Sequence, residues 1–281
     1  MFSWLTGPIS RGIVRYLQKA SPRYEPFSIT DLADLRACLQ PGDVLLVEGN
    51  NRISAIIKYL TQSTWSHSAI YVGDVLDTLS PEGEPLELIE ASVEDGVNAV
   101  PLSKHTRFNT RICRPIGLNE DGRKRVVSHA VANLGKQYDV RNIVDLMRYL
   151  FPFPPVPIRW RRRMLALGSG DPTRAICSTL IAEAFQSVRY PILPHIEKQR
   201  QRDQAGKCLE REIYHIKHHS LFTPRDFDVS PYFAVVKPTI EKGFDYKKFH
   251  WKDQDGDIEM SSLDGLLQKP YPPQNSKGPG E

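Results

Sequence analysis

Ser66-His67-Ser68-Ala69-Ile70-Tyr71-Val72-Gly73 decides how this chain is read. Its alternation predicts a strand with His67, Ala69 and Tyr71 on one face and Ser68, Ile70 and Val72 on the other. An imidazole on so rigid an element gains chemical meaning if a nucleophile can meet it. Ile176-Cys177-Ser178-Thr179-Leu180-Ile181-Ala182-Glu183-Ala184-Phe185 offers one, a cysteine opening an apolar run of helical period. A helix N-terminus favours thiolate through its unpaired N–H groups and dipole. The two stretches together suggest a thiol–imidazole site.

Around that strand the chain alternates short helices and short strands. Thr30 is placed to cap a helix over Asp31–Leu39, Pro41-Gly42 turns into a strand over Asp43–Glu48, and Arg52–Gln62 has helical period with Ile53, Ile56, Ile57 and Leu60 on one side. After the His67 strand, Glu84–Ala91, Gly96–Leu102 and Thr110–Arg114 read as strands of an antiparallel meander, the first two joined at Glu94-Asp95-Gly96. Helices are expected at Asp121–Leu134, Val140–Leu150 and Cys177–Val188. Lys198–Lys207 is polar enough to be loop or exposed helix, and Tyr232–Val236 is expected as a last strand. The fold class is therefore α+β, a small antiparallel sheet packed against helices.

Glu90 lies in Leu86-Glu87-Leu88-Ile89-Glu90-Ala91, which would run beside His67 if these strands pair. A carboxylate there would fix the imidazole tautomer and stabilise imidazolium. Each residue also has a plainer reading: a cysteine in an apolar helix often fills core, a strand histidine is often structural, and Glu90 could face solvent.

The rest of the chain bounds the function. Its 281 residues are ample for a buried core, and the net charge of +4, without a matching fold signature, does not argue for nucleic acid. Cys38, Cys113, Cys177 and Cys208 form no C-x-x-C pair, so neither a zinc ribbon nor a dithiol motif is encoded. His215, His218 and His219, with Cys208 upstream, would share a helix face and give a metal site; a basic exposed helix is the simpler reading, and no cofactor or metal is expected. With no apolar run long enough to span and no secretory pattern, the expected location is cytoplasmic, with peripheral contact on the inner face of a membrane as an option.

That option rests on two segments. Residues 9–19 carry Ile9, Ile13, Tyr16 and Leu17 against Arg11, Arg15 and Lys19, an amphipathic basic pattern suited to a bilayer surface or to a helix packed on the domain. Phe151-Pro152-Phe153-Pro154-Pro155-Val156-Pro157-Ile158-Arg159-Trp160-Arg161-Arg162-Arg163 suits an interfacial loop, a substrate flap or an exposed insertion. The expected organisation is a basic amphipathic segment over 1–27, a main domain over 28–240 with an insert at 151–170, and a polar, largely disordered tail over 241–281.

Pro41-Gly42-Asp43-Val44-Leu45-Leu46-Val47-Glu48-Gly49, followed by Ile56-Ile57-Lys58-Tyr59-Leu60-Thr61-Gln62-Ser63-Thr64-Trp65-Ser66-His67-Ser68-Ala69-Ile70-Tyr71-Val72-Gly73-Asp74, resembles the opening of permuted papain-like hydrolases of the YiiX/YaeF type. These are circular permutants of NlpC-like cell-wall amidases in which the histidine precedes the cysteine. The resemblance extends through Leu88-Ile89-Glu90-Ala91, Gly96-Val97, Gly135-Lys136-Gln137-Tyr138-Asp139 and Cys177-Ser178-Thr179-Leu180, and weakly into Thr223-Pro224-Arg225-Asp226-Phe227-Asp228-Val229-Ser230-Pro231. It implies a papain-like (circularly permuted NlpC-type) fold with Cys177 as nucleophile, His67 as base and acid, and Glu90 as orienter. Tyr138 matches the group's G-x-x-Y-D position, which implies help in binding an oxyanion; a packed aromatic is the alternative. Thr179 departs from the group, which often has Glu there. The implied activity is amide hydrolysis on a peptide-like substrate. The lecithin:retinol acyltransferase-like branch, with a similar His-x-Ala-Ile-Tyr-Val-Gly strand, keeps a lipid-linked acyl substrate open, as does a binding module with an idle site.

Overall fold

Gly42 starts the sheet. It takes φ +90°, a left-handed conformation that a side chain would strain, and so turns the chain sharply after Pro41. Its N–H then donates to the Tyr71 carbonyl at 2.8 Å while the Tyr71 N–H donates to Asp43 at 2.9 Å, zipping together β1 (Val44–Val47) and β2 (His67–Tyr71). The computed structural model describes residues 24–27, 30–92, 95–137, 176–202, 208–241, 243, 251–253 and 256–258. Tyr138, the expected helix at Val140–Leu150, the 151–163 insert, residues 9–19 and the 271–280 tail lie outside them.

The strands β3 (Leu86–Ser92), β4 (Gly96–Pro101), β5 (Thr110–Pro115) and β8 (Phe233–Val236) complete a six-stranded antiparallel sheet in the order β4-β3-β2-β1-β5-β8. All four residues of the central β1 are buried, which is why it reads as a continuous apolar run instead of an alternating one. On one face Val44, Leu46, Ile70, Val72, Ile89 and Cys113 pack against α3 (Glu120–Ala132) and α4 (Ile176–Ser187), with Phe185 at the centre. The other face, Leu45, Val47, Ala69, Tyr71, Leu88 and Ile112, is covered by Leu35 and Leu39 at α1 (Leu32–Cys38) and by Leu102 of a 3-10 turn, Leu102–His105. Each fully buried Leu or Ile contributes roughly 1.5–3 kcal/mol. Both faces being covered confirms the α+β class, and the alternation read from Ser66–Gly73 holds in the separation of Ala69 and Tyr71 from Ile70 and Val72.

Local signals fix the helices. Asn51 caps α2 (Arg52–Thr61) by accepting from the Ser54 N–H at 2.8 Å, and Asn119 caps α3 by accepting from Gly122 at 2.8 Å. Asp31, not Thr30, caps α1: its carboxylate accepts from the Ala33 N–H at 2.8 Å, putting it one residue nearer the helix. A bidentate Arg36–Glu87 pair then ties α1 to β3.

Two other expectations are corrected. Lys198–Arg202 is strand, not loop or exposed helix, since β6 (His195–Arg202) pairs along its length with β7 (Cys208–His215) in a separate hairpin. Backbone pairing stabilises that ribbon whatever its side chains' polarity. His215 ends β7, and His218 and His219 follow in a loop and a 3-10 turn, so they share no helix face. His215 pairs with Glu197 at 2.9 Å and His219 with Glu183 at 3.0 Å, so the histidines are not gathered as metal ligands.

α5 (Pro224–Asp228) starts at a capping box, Thr223 with Asp226, and buries Phe227 beside Phe185. The chain divides into two units, ending at Pro238 and starting at Thr239; the second contains a hairpin of β9 (Trp251–Asp253) and β10 (Gly256–Ile258). Among the described residues no helix is long and apolar enough to cross a membrane.

Candidate active site

His67 opens β2, and its position is anchored from both sides. Trp65 is buried and its indole N–H donates to Asp228 at 3.1 Å, while Arg111 lies over the ring at 4.9 Å and also pairs with Asp228. The Ser66 hydroxyl accepts from the Gly49 N–H at 2.9 Å. Ser68, wholly buried, meets Ser178 of α4 hydroxyl to hydroxyl at 3.2 Å. That contact brings the residue after His67 against the residue after Cys177, so strand and helix are locked together at the two chemically interesting positions.

The register explains how Glu90 reaches the ring. β3 pairs with β2 so that Glu90 stands opposite Ala69, which puts Glu90 and His67 on the same face as diagonal neighbours. Long side chains span that diagonal, and His67 Nε2 lies 2.8 Å from Glu90 Oε2. Glu90 is 2% exposed, so its charge must be compensated by neighbours. Three groups do so: His67, His105 Nε2 at 2.9 Å on the same oxygen, and Lys104 Nζ at 2.6 Å on Oε1.

Cys177 is the second residue of α4 and is buried. Its sulfur lies 4.0 Å from the Ser178 hydroxyl and is electrostatically coupled to the His67 ring and to Ser68. Burial pushes the thiol up, but the His67 imidazole and Ser68 outweigh it and hold the thiol below its usual range. Burial likewise works against charge on His67, yet Glu90 and then Cys177 raise it to about 10. Glu90 is held well below the usual carboxylate range, since His67 and His105 overcome the cost of its burial. The His67 ring is thus favoured in its charged form by the carboxylate on one side and the sulfur on the other.

Three residues expected from the sequence, Cys177, His67 and Glu90, come together in one cluster, while Tyr138 lies outside the described residues. After α3 the chain is held to the start of β4: the Gly135 N–H donates to the Val97 carbonyl at 2.9 Å, and the Val97 N–H donates to the Lys136 carbonyl at 2.9 Å. Gly96, at φ +67°, allows this close pass, because a Cβ there would come within 2.4 Å of the Lys136 oxygen.

Lys104 and His105 were not singled out from sequence. They sit on a 3-10 turn with no periodic pattern to flag them; the only signal is a basic pair just past a strand end. His67, Glu90 and His105 also place their ligand atoms within 4.8 Å of one another, a two-imidazole, one-carboxylate set of the kind that suits zinc. Here those atoms bond to each other, and Lys104 already supplies positive charge at the second carboxylate oxygen.

No curated protein matches the chain. The crystal structure of the metalloprotein yiiX from Escherichia coli O157:H7 is similar at 18% identity and a TM-score of 0.40, over 71% of this chain and 97% of that one. Over residues 38–152, which include His67 and Glu90 and stop short of Cys177, the chain matches the family of permuted papain-like amidase enzymes, YaeF/YiiX, C92, a cysteine-peptidase type of hydrolase and the group its sequence resembles.

Proposed function

We propose that this chain is a thiol-dependent hydrolase that cleaves an amide, peptide-like acyl bond through Cys177, His67 and Glu90. One observation carries the reading: a single imidazole lies between a buried carboxylate, at 2.8 Å, and a thiol at a helix start, and it favours the charged form of each as each favours its own. The match to amidase enzymes over residues 38–152 supports the bond class.

With Nε2 committed to Glu90, Nδ1 of His67 is the nitrogen that takes the thiol proton. The thiolate attacks the carbonyl carbon, and the resulting oxyanion is held by the Cys177 backbone N–H, with Tyr138 as a second donor by family resemblance. As the tetrahedral species collapses, His67 returns its proton to the leaving nitrogen, the C–N bond breaks and a thioester remains. Water, deprotonated by His67, then attacks the thioester, releasing the acid and restoring the thiol. Glu90 keeps the ring oriented and its positive charge compensated throughout.

Labelling with thiol-reactive acyl and peptide probes tests this. Wild type should label at Cys177, Cys177→Ala should not, and His67→Ala should label far more slowly. Equal labelling of wild type and His67→Ala, at the slow rate of an ordinary thiol, would leave a binding module with an idle site. Preference for fatty-acyl over peptide probes would move the substrate to a lipid-linked acyl group. Liposome flotation with and without residues 1–25 reads membrane docking separately: unchanged partitioning removes it.

A further inference from the structure

Glu90 serves two imidazoles, and only one of them meets the sulfur. His67 and His105 direct Nε2 at the same oxygen, at 2.8 and 2.9 Å, with ring centroids 5.7 Å apart and planes tilted by 41°. His67 is partly exposed, whereas His105 is 5% exposed. The turn that carries His105 is rigid: Leu102 is fully buried, Phe108 N–H donates to the His105 carbonyl at 3.1 Å, and the Thr106 hydroxyl donates to the Ser103 carbonyl at 2.9 Å. A carboxylate that orients an imidazole must itself be oriented, and a second, immobile donor does that.

We infer that His105 is a positioning residue, a fixed hydrogen-bond donor that holds Glu90 Oε2 toward His67 and keeps the thiol–imidazole pair in register. Burial, and the charge on His67 nearby, hold His105 below the usual imidazole range despite its bond to Glu90. It therefore stands neutral at neutral pH and, on a carboxylate, must carry its proton on Nε2. Glu90, His67 and Lys104 are the charged groups that face it.

This inference rests on the thiol-dependent reading above, and the test separates the two. The second-order rate of iodoacetamide alkylation at Cys177, mapped by peptide mass and measured at pH 7 and below, reports thiolate content in wild type, His105→Leu, His105→Asn and His105→Gln. Gln can extend an N–H to the place of Nε2; Asn is too short to reach it. Wild type should react fast. With the rate followed from pH 7 downward, His105→Gln should stay within about threefold of wild type, while His105→Leu and His105→Asn should move the midpoint of the rate's pH profile up by about one unit, about tenfold slower at any pH below both midpoints. Melting curves confirm that each variant is folded, and if His105→Leu does not fold the Asn and Gln pair decides alone. Fast wild type with equally fast Leu or Asn variants would overturn the role of His105 only. A slow wild type would overturn the thiol-dependent reading itself. Co-purification of stoichiometric zinc, lost in His105→Leu, would reassign the trio as metal ligands and overturn the inference too.

Discussion

Of the buried carboxylates Asp43, Glu87 and Glu90, the first and the last are built for different purposes. Asp43, wholly buried before β1, accepts from Arg114 Nε at 3.1 Å and from Arg114 Nη2 at 2.7 Å, and from the Gln40 N–H at 2.9 Å, with Arg123 at 4.0 Å. Glu90, nearly as buried, has two imidazoles and one lysine. A guanidinium does not give up its proton at any ordinary pH, so the Asp43 pair is a clasp joining the start of β1 to β5. An imidazole trades its proton readily, so the Glu90 cluster can take part in chemistry as well as hold the fold. Burial alone does not mark a functional acid; the proton affinity of its partners does.

Glu90→Gln should separate these purposes most sharply. The amide keeps the shape and one acceptor but removes the charge that raises His67, so amide cleavage should fall by roughly 10²–10⁴-fold, the range for losing an effective acid–base partner. The melting temperature should move far less than the rate. A rate within a few-fold of wild type, measured on a peptide amide probe, would show that Glu90 merely fills space beside the ring.

Asp43→Asn should do the reverse. Arg114 would keep a partly buried guanidinium, 21% exposed, without its counter-charge. Removing one partner of a fully buried pair costs about 3–5 kcal/mol, and this exposure reduces the expected loss to about 2–3 kcal/mol. Urea denaturation should show that loss while alkylation of Cys177 in the folded protein stays at the wild-type rate. If instead the alkylation rate collapsed and stability held, the contrast drawn between the two acids would be wrong.

Much of this contrast was legible in the sequence. The alternation from Ser66 to Gly73 put His67 and Ala69 on one face, and the β2–β3 pairing then sets Glu90 opposite Ala69, a geometry that follows from period two. Cys177 was visible as the start of a helical run. The other two partners of Glu90 were not, because the order Lys104-His105 on a short turn carries no period, and only the folded path of the chain aims them at the carboxylate. The β6–β7 hairpin was missed for a related reason: a charged stretch such as Lys198–Arg202 has no apolar alternation to announce a strand, though its backbone pairs as well as any other. Thr223-Pro224-Arg225-Asp226-Phe227-Asp228-Val229-Ser230-Pro231, only a weak resemblance in sequence, gains its meaning from Asp228 holding Trp65 and so the strand that bears His67.

The pH dependence gives the smallest effect and the finest distinction. His67 titrates at about 10, and the proton it holds below that value is the one delivered to the leaving amine. Cys177 lies below the usual thiol range, so its thiolate persists on the alkaline side. Alkylation by iodoacetamide needs only thiolate and should stay high as pH rises through 10. Amide cleavage also needs imidazolium and should fall, by about tenfold for each unit above that value. An activated ester, whose leaving group needs no proton, should follow alkylation instead of the amide. If amide cleavage and alkylation ran in parallel through this range, His67 would not be the acid, and Glu90 would differ from Asp43 only in the company it keeps.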